Sequence, residues 1–165
     1  MPRIHFSTEL PSFSELRLIR ANWTWQELLW GKCNGLLQAE DAVAYALELL
    51  DEDRENFSEL LELATVDPKS WEIDKQISAL CGLEAAESDE EMLLAWRKTI
   101  LKWCYDHIED EKQIREKVNC LYDDFERPED MACMIPYMPA SIDRLGREWN
   151  VRTLLREWLE CHSDA

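Results

Sequence analysis

Apolar residues recur along most of the chain at the spacing of one helix face. The clearest run is Leu93, Trp96, Ile100, Trp103 and His107, whose alternating intervals of three and four residues predict a buried seam on a long helix. Several shorter stretches have the same spacing and predict further helices. The pattern favours helices over strands from one end of the chain to the other.

Polar residues mark where several of these helices begin. Ser12, Thr24 and Ser88 are each followed three residues later by a glutamate, which is the spacing of a capping box. In such a box two side chains satisfy backbone N–H groups that a helix start leaves free. Asn56 predicts another start, and Gly35 predicts a helix end because glycine readily adopts the left-handed conformation required there.

Prolines supply two more boundaries. Asp67 followed by Pro68 predicts a helix that starts at the proline and has Trp71 among its apolar positions. Pro128 predicts the start of a short helix, which Pro136 closes.

Residues suited to tight turns are few, since the 165 residues include only four glycines and six prolines. A sheet of many strands needs more of them. We therefore predict an all-α fold, a single irregular multi-helix domain of about seven to nine helices over residues 1–165. Residues 1–21 are predicted to form an N-terminal extension packed on it.

Two stretches carry a family resemblance. Residues 22–28 (NWTWQEL) with 42–46 (AVAYA), and residues 121–131 (LYDDFERPEDM) with 135–139 (IPYMP), resemble an uncharacterised bacterial family, domain-of-unknown-function family 2247. The resemblance covers about residues 22–140. It implies a bacterial protein and brings no enzyme activity with it.

The charge is strongly negative, with 35 acids against 18 bases and a formal net charge of −17. Such a field repels nucleic-acid phosphates and anionic membrane surfaces, so we expect neither as a partner. It attracts a basic protein, at a rate that falls as salt is added. The alternative is that the charge provides solubility alone.

Acidic residues are concentrated in two segments that could meet such a partner. We predict that the first acidic segment, residues 48–59, and the second, residues 123–126, bind the partner. The candidate binding residues are Glu48, Asp51, Glu52, Asp53, Glu55, Glu59, Asp123, Asp124 and Glu126.

The stretch DDFERPED, residues 123–130, permits three interpretations: a metal or catalytic site, structural capping, or partner contact. Glu129 and Asp130 follow a proline and fit the first turn of a helix, where negative charge is favoured. Asp123 and Asp124 stand at the wrong end of the preceding helix for its dipole, so pairing with arginine, backbone capping or a partner must account for them. The glycine of a calcium-binding loop is missing, which disfavours a metal.

The remaining chemistry is sparse. The six cysteines form no C-x-x-C pair, so the pairs Cys104–His107 and Cys161–His162 are poor candidates for zinc, and we expect reduced thiols, no metal and no cofactor. Phosphate-binding glycine loops and nucleophile elbows are absent from the sequence, and we expect no enzyme. The first residues lack a secretory signal pattern, so we expect a cytoplasmic protein.

Eight tryptophans are present, and three of them, Trp23, Trp25 and Trp30, crowd one short segment. One helix stripe cannot hide all three. Either the rest of the protein buries them or one is exposed and marks a contact surface. Trp149 is predicted in the core, and residues 137–139 are predicted as an aromatic lid.

These observations favour an acidic cytoplasmic protein that binds and neutralises a protein partner. The sharpest form of this hypothesis is an immunity protein that occludes the active site of a basic toxin nuclease delivered by neighbouring cells, as in contact-dependent growth inhibition. The alternative is a housekeeping adaptor or scaffold protein without a toxin.

Overall fold

Helices make up all the regular secondary structure in the described part of the chain. The computed structural model describes residues 3–135 and 150–163. Within these ranges the elements are α1 Phe13–Ile19, α2 Trp25–Cys33, α3 Ala39–Glu48, α4 Phe57–Thr65, α5 Ile73–Cys81, α6 Asp89–His107, α7 Glu111–Asp124, a 3-10 helix Glu129–Met134 and α8 Val151–Cys161. The all-α prediction is confirmed. The predictions for Pro136, residues 137–139 and Trp149 lie outside the described residues.

The three predicted capping boxes are present. Ser12 N–H donates to Glu15 (2.9 Å), Thr24 N–H to Glu27 (3.0 Å) and Ser88 N–H to Glu91 (2.8 Å). The reciprocal bonds from the glutamate N–H groups to the Ser12, Thr24 and Ser88 hydroxyls are 3.1–3.3 Å long. Each box fixes where its helix begins, and the loss of such a cap costs about 1 kcal/mol.

The helix predicted to start at Pro68 is wrong, because α5 begins only at Ile73. Asp67 forms a local turn instead: its carboxylate accepts from Lys69 N–H (2.9 Å) and its carbonyl accepts from Ser70 N–H (2.8 Å). Short polar side chains compete in this way with helix formation.

Trp71 consequently lies before the helix and is 83% exposed, so its predicted apolar helix position is wrong. Trp23, Trp25 and Trp30 are only 5%, 4% and 9% exposed. Of the two alternatives for that crowded segment, burial of all three is therefore the one observed.

The long helix α6 follows its predicted seam only in part. Trp96 and Ile100 are fully buried, whereas Trp103 is half-buried and His107 is exposed. The buried face continues through Cys104, because a straight helix with 3.6 residues per turn drifts away from a strict heptad seam.

The described residues form two compact units. The first unit is Ser12–Trp96; the second comprises Met1–Pro11 and Arg97–Ala165, of which residues 3–11, 97–135 and 150–163 are described. Residues 1–21 are thus divided between the units at Ser12. The single-domain organisation stays a prediction.

An aromatic cluster closes the first unit. The Trp96 ring lies 4.3 Å from Trp23, 6.1 Å from Phe13 and 6.4 Å from Trp30, measured between ring centroids. The Trp96 indole N–H donates to the Glu27 carbonyl (3.0 Å), so its buried polar atom is satisfied. Elsewhere in this unit α4 packs on α3 and α5, and α5 packs on α2.

In the second unit α7, α8 and the 3-10 helix pack on one another around fully buried side chains such as Leu121, Met131 and Leu155. The N-terminal segment joins this core through Phe6, whose ring meets that of Phe125 edge-on at 5.4 Å. The 3-10 helix begins directly after Pro128, as predicted, although it is not an α-helix.

Candidate functional site

The first acidic segment connects α3 to α4 and lies at the surface of the first unit. Glu48 ends α3 and Glu59 stands in the first turn of α4. Between them, residues 51–55 are all exposed. Asp51 organises the turn, since its carboxylate accepts from Asp53 N–H (3.1 Å).

Most carboxylates of this segment are open to an outside partner. Glu48 is the exception, because Arg17 pairs with it at 2.6 Å. Within the described ranges, no ion pair involves Glu52, Asp53, Glu55 or Glu59.

A cleft of about 840 Å³ opens beside the segment, entirely within the first unit. Its lining combines aromatic, apolar, amide and charged side chains: Asn22, Trp23, Trp25, Tyr45, Leu49, Arg54, Glu55, Asn56, Leu83 and Glu84. The sequence did not predict this cleft, although the family-like stretches NWTWQEL and AVAYA contain four of its lining residues.

The three aromatic residues of the lining, Trp23, Trp25 and Tyr45, form the aromatic floor of the cleft, and paired hydrogen bonds hold it. The Tyr45 hydroxyl accepts from Trp23 N–H and donates to the Trp23 carbonyl, both at 2.9 Å. Trp25 packs edge-on against Tyr45 with ring centroids 5.3 Å apart. Guanidinium groups lie over two of these rings, Arg20 over Trp23 at 4.5 Å and Arg17 over Tyr45 at 4.8 Å. Because its rings are fixed by both polar and ring contacts, the floor is preorganised.

Glu84 has a structural role in the cleft wall. Its two carboxylate oxygens accept from the N–H groups of Trp25 (2.9 Å) and Gln26 (3.0 Å), which the start of α2 would otherwise leave free. Burial raises the pKa of the neighbouring Glu87, and the charges of Glu27 and Glu84 raise it further against a hydrogen bond from Thr24. In contrast, hydrogen bonds from Ser88 lower the pKa of Glu91.

The second acidic segment is largely engaged with its own unit. Asp124 accepts from both Ser7 N–H (2.9 Å) and the Ser7 hydroxyl (3.1 Å), and Asp123 pairs with Arg127 at 2.9 Å. Backbone capping and arginine pairing therefore account for two aspartates that oppose the helix dipole. Glu126 is exposed.

The turn after α7 was not predicted. Glu126 and Arg127 both have left-handed backbone conformations, with φ of 61° and 59°, and Arg127 N–H donates to the Tyr122 carbonyl at 2.8 Å. This 6→1 bond is that of a Schellman helix end, which ordinarily places glycine where Glu126 stands. Without that glycine, the sequence carried no local signal for the turn.

Asp130 is the centre of an unpredicted cluster in the second unit. One guanidinium nitrogen of buried Arg97 contacts both its carboxylate oxygens (2.8 and 3.0 Å), and His162 Nε2 lies 3.4 Å from it. The Trp158 indole N–H donates to the Asp130 carbonyl (3.0 Å), and the His162 ring stacks on Trp158 at 4.1 Å. The cluster ties α6, the 3-10 helix and α8 together.

All six cysteines lie in the described part of the chain, and none of them forms a disulfide there. Burial raises the pKa of the Cys104 thiol to about 12 and that of Cys81 to about 11. Such thiols act as small hydrophobes at neutral pH rather than as thiolate ligands. His107, the residue paired with Cys104 in the zinc interpretation, has its Nδ1 hydrogen-bonded to the Trp103 carbonyl at 2.9 Å.

Across residues 3–135 and 150–163, no cluster of three or more histidine, cysteine or acidic side chains has metal-site geometry. In the same ranges, no helix combines the length and apolar character needed to cross a membrane.

A family model described as an uncharacterised protein conserved in bacteria, DUF2247, matches residues 13–161. The match extends the resemblance of residues 22–140 at both ends. No curated protein and no solved structure gave a match.

Proposed function

The chain belongs to the uncharacterised bacterial family DUF2247, and we propose that it is an acidic cytoplasmic binding protein that neutralises a basic protein partner. In its sharpest form it is an immunity protein that occludes the active site of a toxin nuclease. No catalytic step and no cofactor enter this function.

The observation that supports the proposal is the first acidic segment beside the cleft. Residues 51–55 form an exposed turn with four carboxylates and a single arginine, Arg54. Exposed carboxylates outside any described ion pair leave a field that a basic surface can neutralise on binding. The adjoining cleft supplies the shape that a purely solubilising charge does not need.

The proposed mechanism is occlusion. Lysine and arginine side chains that would hold nucleic-acid phosphates in the partner meet carboxylates of the acidic segments instead. Charges at the rim of such an interface act mainly on the association rate, whereas buried contacts act on dissociation. The partner's affinity is therefore expected to fall with salt through slower association.

The test uses the product of the gene adjacent to this one, in binding measurements with the purified protein and in co-expression with it. We expect growth to be rescued when both proteins are produced, and the two to bind tightly at low salt. Reversal of Asp51, Asp53 and Glu55 to lysine is expected to slow association roughly ten-fold or more.

A matched control reverses three exposed acids elsewhere, Glu72, Glu109 and Glu116, and thus makes the same change in net charge. Glu84, Glu87 and Glu90 are unsuitable for this purpose, because Glu84 caps α2. Equal slowing by both triple variants would reduce the effect to net charge. An adjacent product that is harmless and does not bind would favour the adaptor or scaffold alternative.

A further inference from the structure

We propose that the cleft of the first unit receives an extended segment of the partner that carries an arginine or lysine side chain. This inference rests on the proposed function and assigns the anchoring contact to one place. The segment's backbone would lie along the asparagine amides, with its basic side chain directed to Glu55.

The size of the cleft suits a segment of several residues rather than an ion. Its volume of about 840 Å³ falls within the range of roughly 300–1,000 Å³ typical of ligand pockets. The three rings of the floor are almost fully buried, so they act as a rigid base. Accessible apolar surface comes from the walls, where Leu83 is 57% exposed and Leu49 is half-buried. Such surface can cover the aliphatic stem of a basic side chain.

Two amides in the lining can recognise peptide backbone. Asn56 occupies the N-cap position of α4, as predicted for a helix start, yet its side chain makes no capping hydrogen bond. Asn56 belongs to the lining of the cleft, as does exposed Asn22. An asparagine side chain offers both donors and an acceptor, which match the C=O and N–H groups of an extended segment.

Charge selects a basic side chain as the anchor. Of the two carboxylates in the lining, Glu84 is used by the start of α2, which leaves Glu55 exposed and outside any described ion pair. Arg54 lies next to Glu55 in the same lining and opposes an incoming cation. The adjacent acidic segment makes the surroundings negative overall. Neutralising Glu55 and neutralising Arg54 must therefore have opposite effects.

Four synthetic seven-residue peptides of glycine and serine, blocked at both ends, serve as probes. Their central residue is arginine, lysine, norleucine or glutamate. Titration into ¹⁵N-labelled protein is followed at the side-chain amide resonances of Asn22 and Asn56. The arginine and lysine peptides are expected to shift these resonances saturably, and the norleucine and glutamate peptides to bind at least several-fold more weakly.

The charge variants then test the assignment. Glu55→Gln is expected to lower the affinity for the arginine peptide by roughly two- to five-fold, as for exposed charge pairs. Arg54→Gln is expected to raise that affinity by a similar factor. Glu59→Gln removes the same charge from the acidic segment outside the lining and is expected to have a smaller effect. Absence of saturable shifts, equal binding of the norleucine peptide, or equal effects of Glu55→Gln and Glu59→Gln would overturn the inference.

The two proposals fail differently. If the adjacent gene product binds through the acidic segment while Asn56→Ala and Leu83→Ala leave its dissociation rate unchanged, the cleft is not the anchor and the proposed function stands. If the basic peptides bind with the expected dependence on Glu55 but no basic protein partner does, the cleft inference keeps its ligand chemistry and the neutralising function is lost.

Discussion

Gly31 lies where helix α2 passes Trp96, and its replacement tests the packing of the first unit. A Cβ atom at this position would stand 2.8 Å from Leu37 Cδ2 and 2.9 Å from Trp96 Cε2, and closer still to Trp96 Cζ2. Ordinary carbon–carbon contacts are about 3.5–4.0 Å. Gly31→Ala therefore forces the Trp96 ring or the α2 backbone to move.

The ring cannot move freely. Trp96 is fully buried, packs against Trp23 and Phe13, and donates its indole N–H to the Glu27 carbonyl. Overpacking of a core typically costs about 1–3 kcal/mol, and loss of a buried hydrogen bond costs about 1–3 kcal/mol more. Alanine recovers about 1 kcal/mol through its helix propensity. The free energy of unfolding should fall by about 3 kcal/mol, within a range of about 1–5 kcal/mol.

Two other glycines separate packing from backbone effects. Gly35 has a φ of 76° with open space around it, so Gly35→Ala should cost only about 1 kcal/mol for the left-handed conformation. Gly82 has a φ of −65° and ordinary contacts of 3.4 Å or more, so Gly82→Ala should be neutral or stabilising by up to about 1 kcal/mol.

Urea unfolding followed by tryptophan fluorescence and by circular dichroism measures the series, and agreement between the two signals checks two-state behaviour. Adding Trp96→Phe to Gly31→Ala should recover part of the loss, because the smaller ring vacates the contact. A cost of Gly31→Ala no greater than that of Gly35→Ala, or a double variant without coupling, would contradict close packing of Gly31 on Trp96.

Three further outcomes follow from local geometry. Glu126→Gly should raise the free energy of unfolding by about 0.5–1 kcal/mol, because glycine adopts φ near 61° without strain. A decrease in that free energy, measured by urea unfolding, would contradict this. Glu87→Gln should raise the melting temperature at pH 7 but not at pH 4. Folding raises the pKa of the Glu87 carboxyl, so the folded state holds the proton to a higher pH than the unfolded state. The contribution of this carboxyl to stability therefore falls as the pH rises above 4.5. Equal changes at both pH values would refute this assignment. Iodoacetamide at pH 8 should modify exposed Cys33 and Cys161 in the native protein and spare Cys104 until the chain unfolds; mass spectrometry that finds native Cys104 labelled as fast as Cys33 would contradict the burial.

Local signals predicted those parts of the fold that depend on neighbours in sequence. The boxes at Ser12, Thr24 and Ser88 form as predicted because both partners stand three residues apart on the same turn. The prediction of a helix start at Asp67 and Pro68 was wrong, because a helix start and a local turn use the same residue types. In this protein the two residues form the turn.

Contacts between distant residues could not be predicted in this way. The ion pair of Asp130 with Arg97 joins residues 33 positions apart, and no spacing rule connects them. The cleft likewise depends on residues from four stretches of the chain, so sequence reasoning found its acidic edge at Glu55 but not its amides or its floor. For the same reason, the sequence could not distinguish the exposed carboxylates of the first acidic segment from that of Asp124, which accepts a hydrogen bond from distant Ser7.

The long-range cap that Glu84 places on α2 has a consequence for synthesis on the ribosome. Trp25 leaves the ribosome 59 residues ahead of the carboxylate that satisfies its N–H group. At roughly 5–20 residues per second, this is an interval of roughly 3–12 seconds. Trp96, the residue that closes the aromatic cluster, follows later still, 69 positions after Glu27. The nascent chain must therefore carry the exposed rings of Trp23 and Trp25 for seconds, and a product truncated before Glu84 retains both sides of the acidic turn but lacks the carboxylate that accepts from Trp25 N–H and Gln26 N–H.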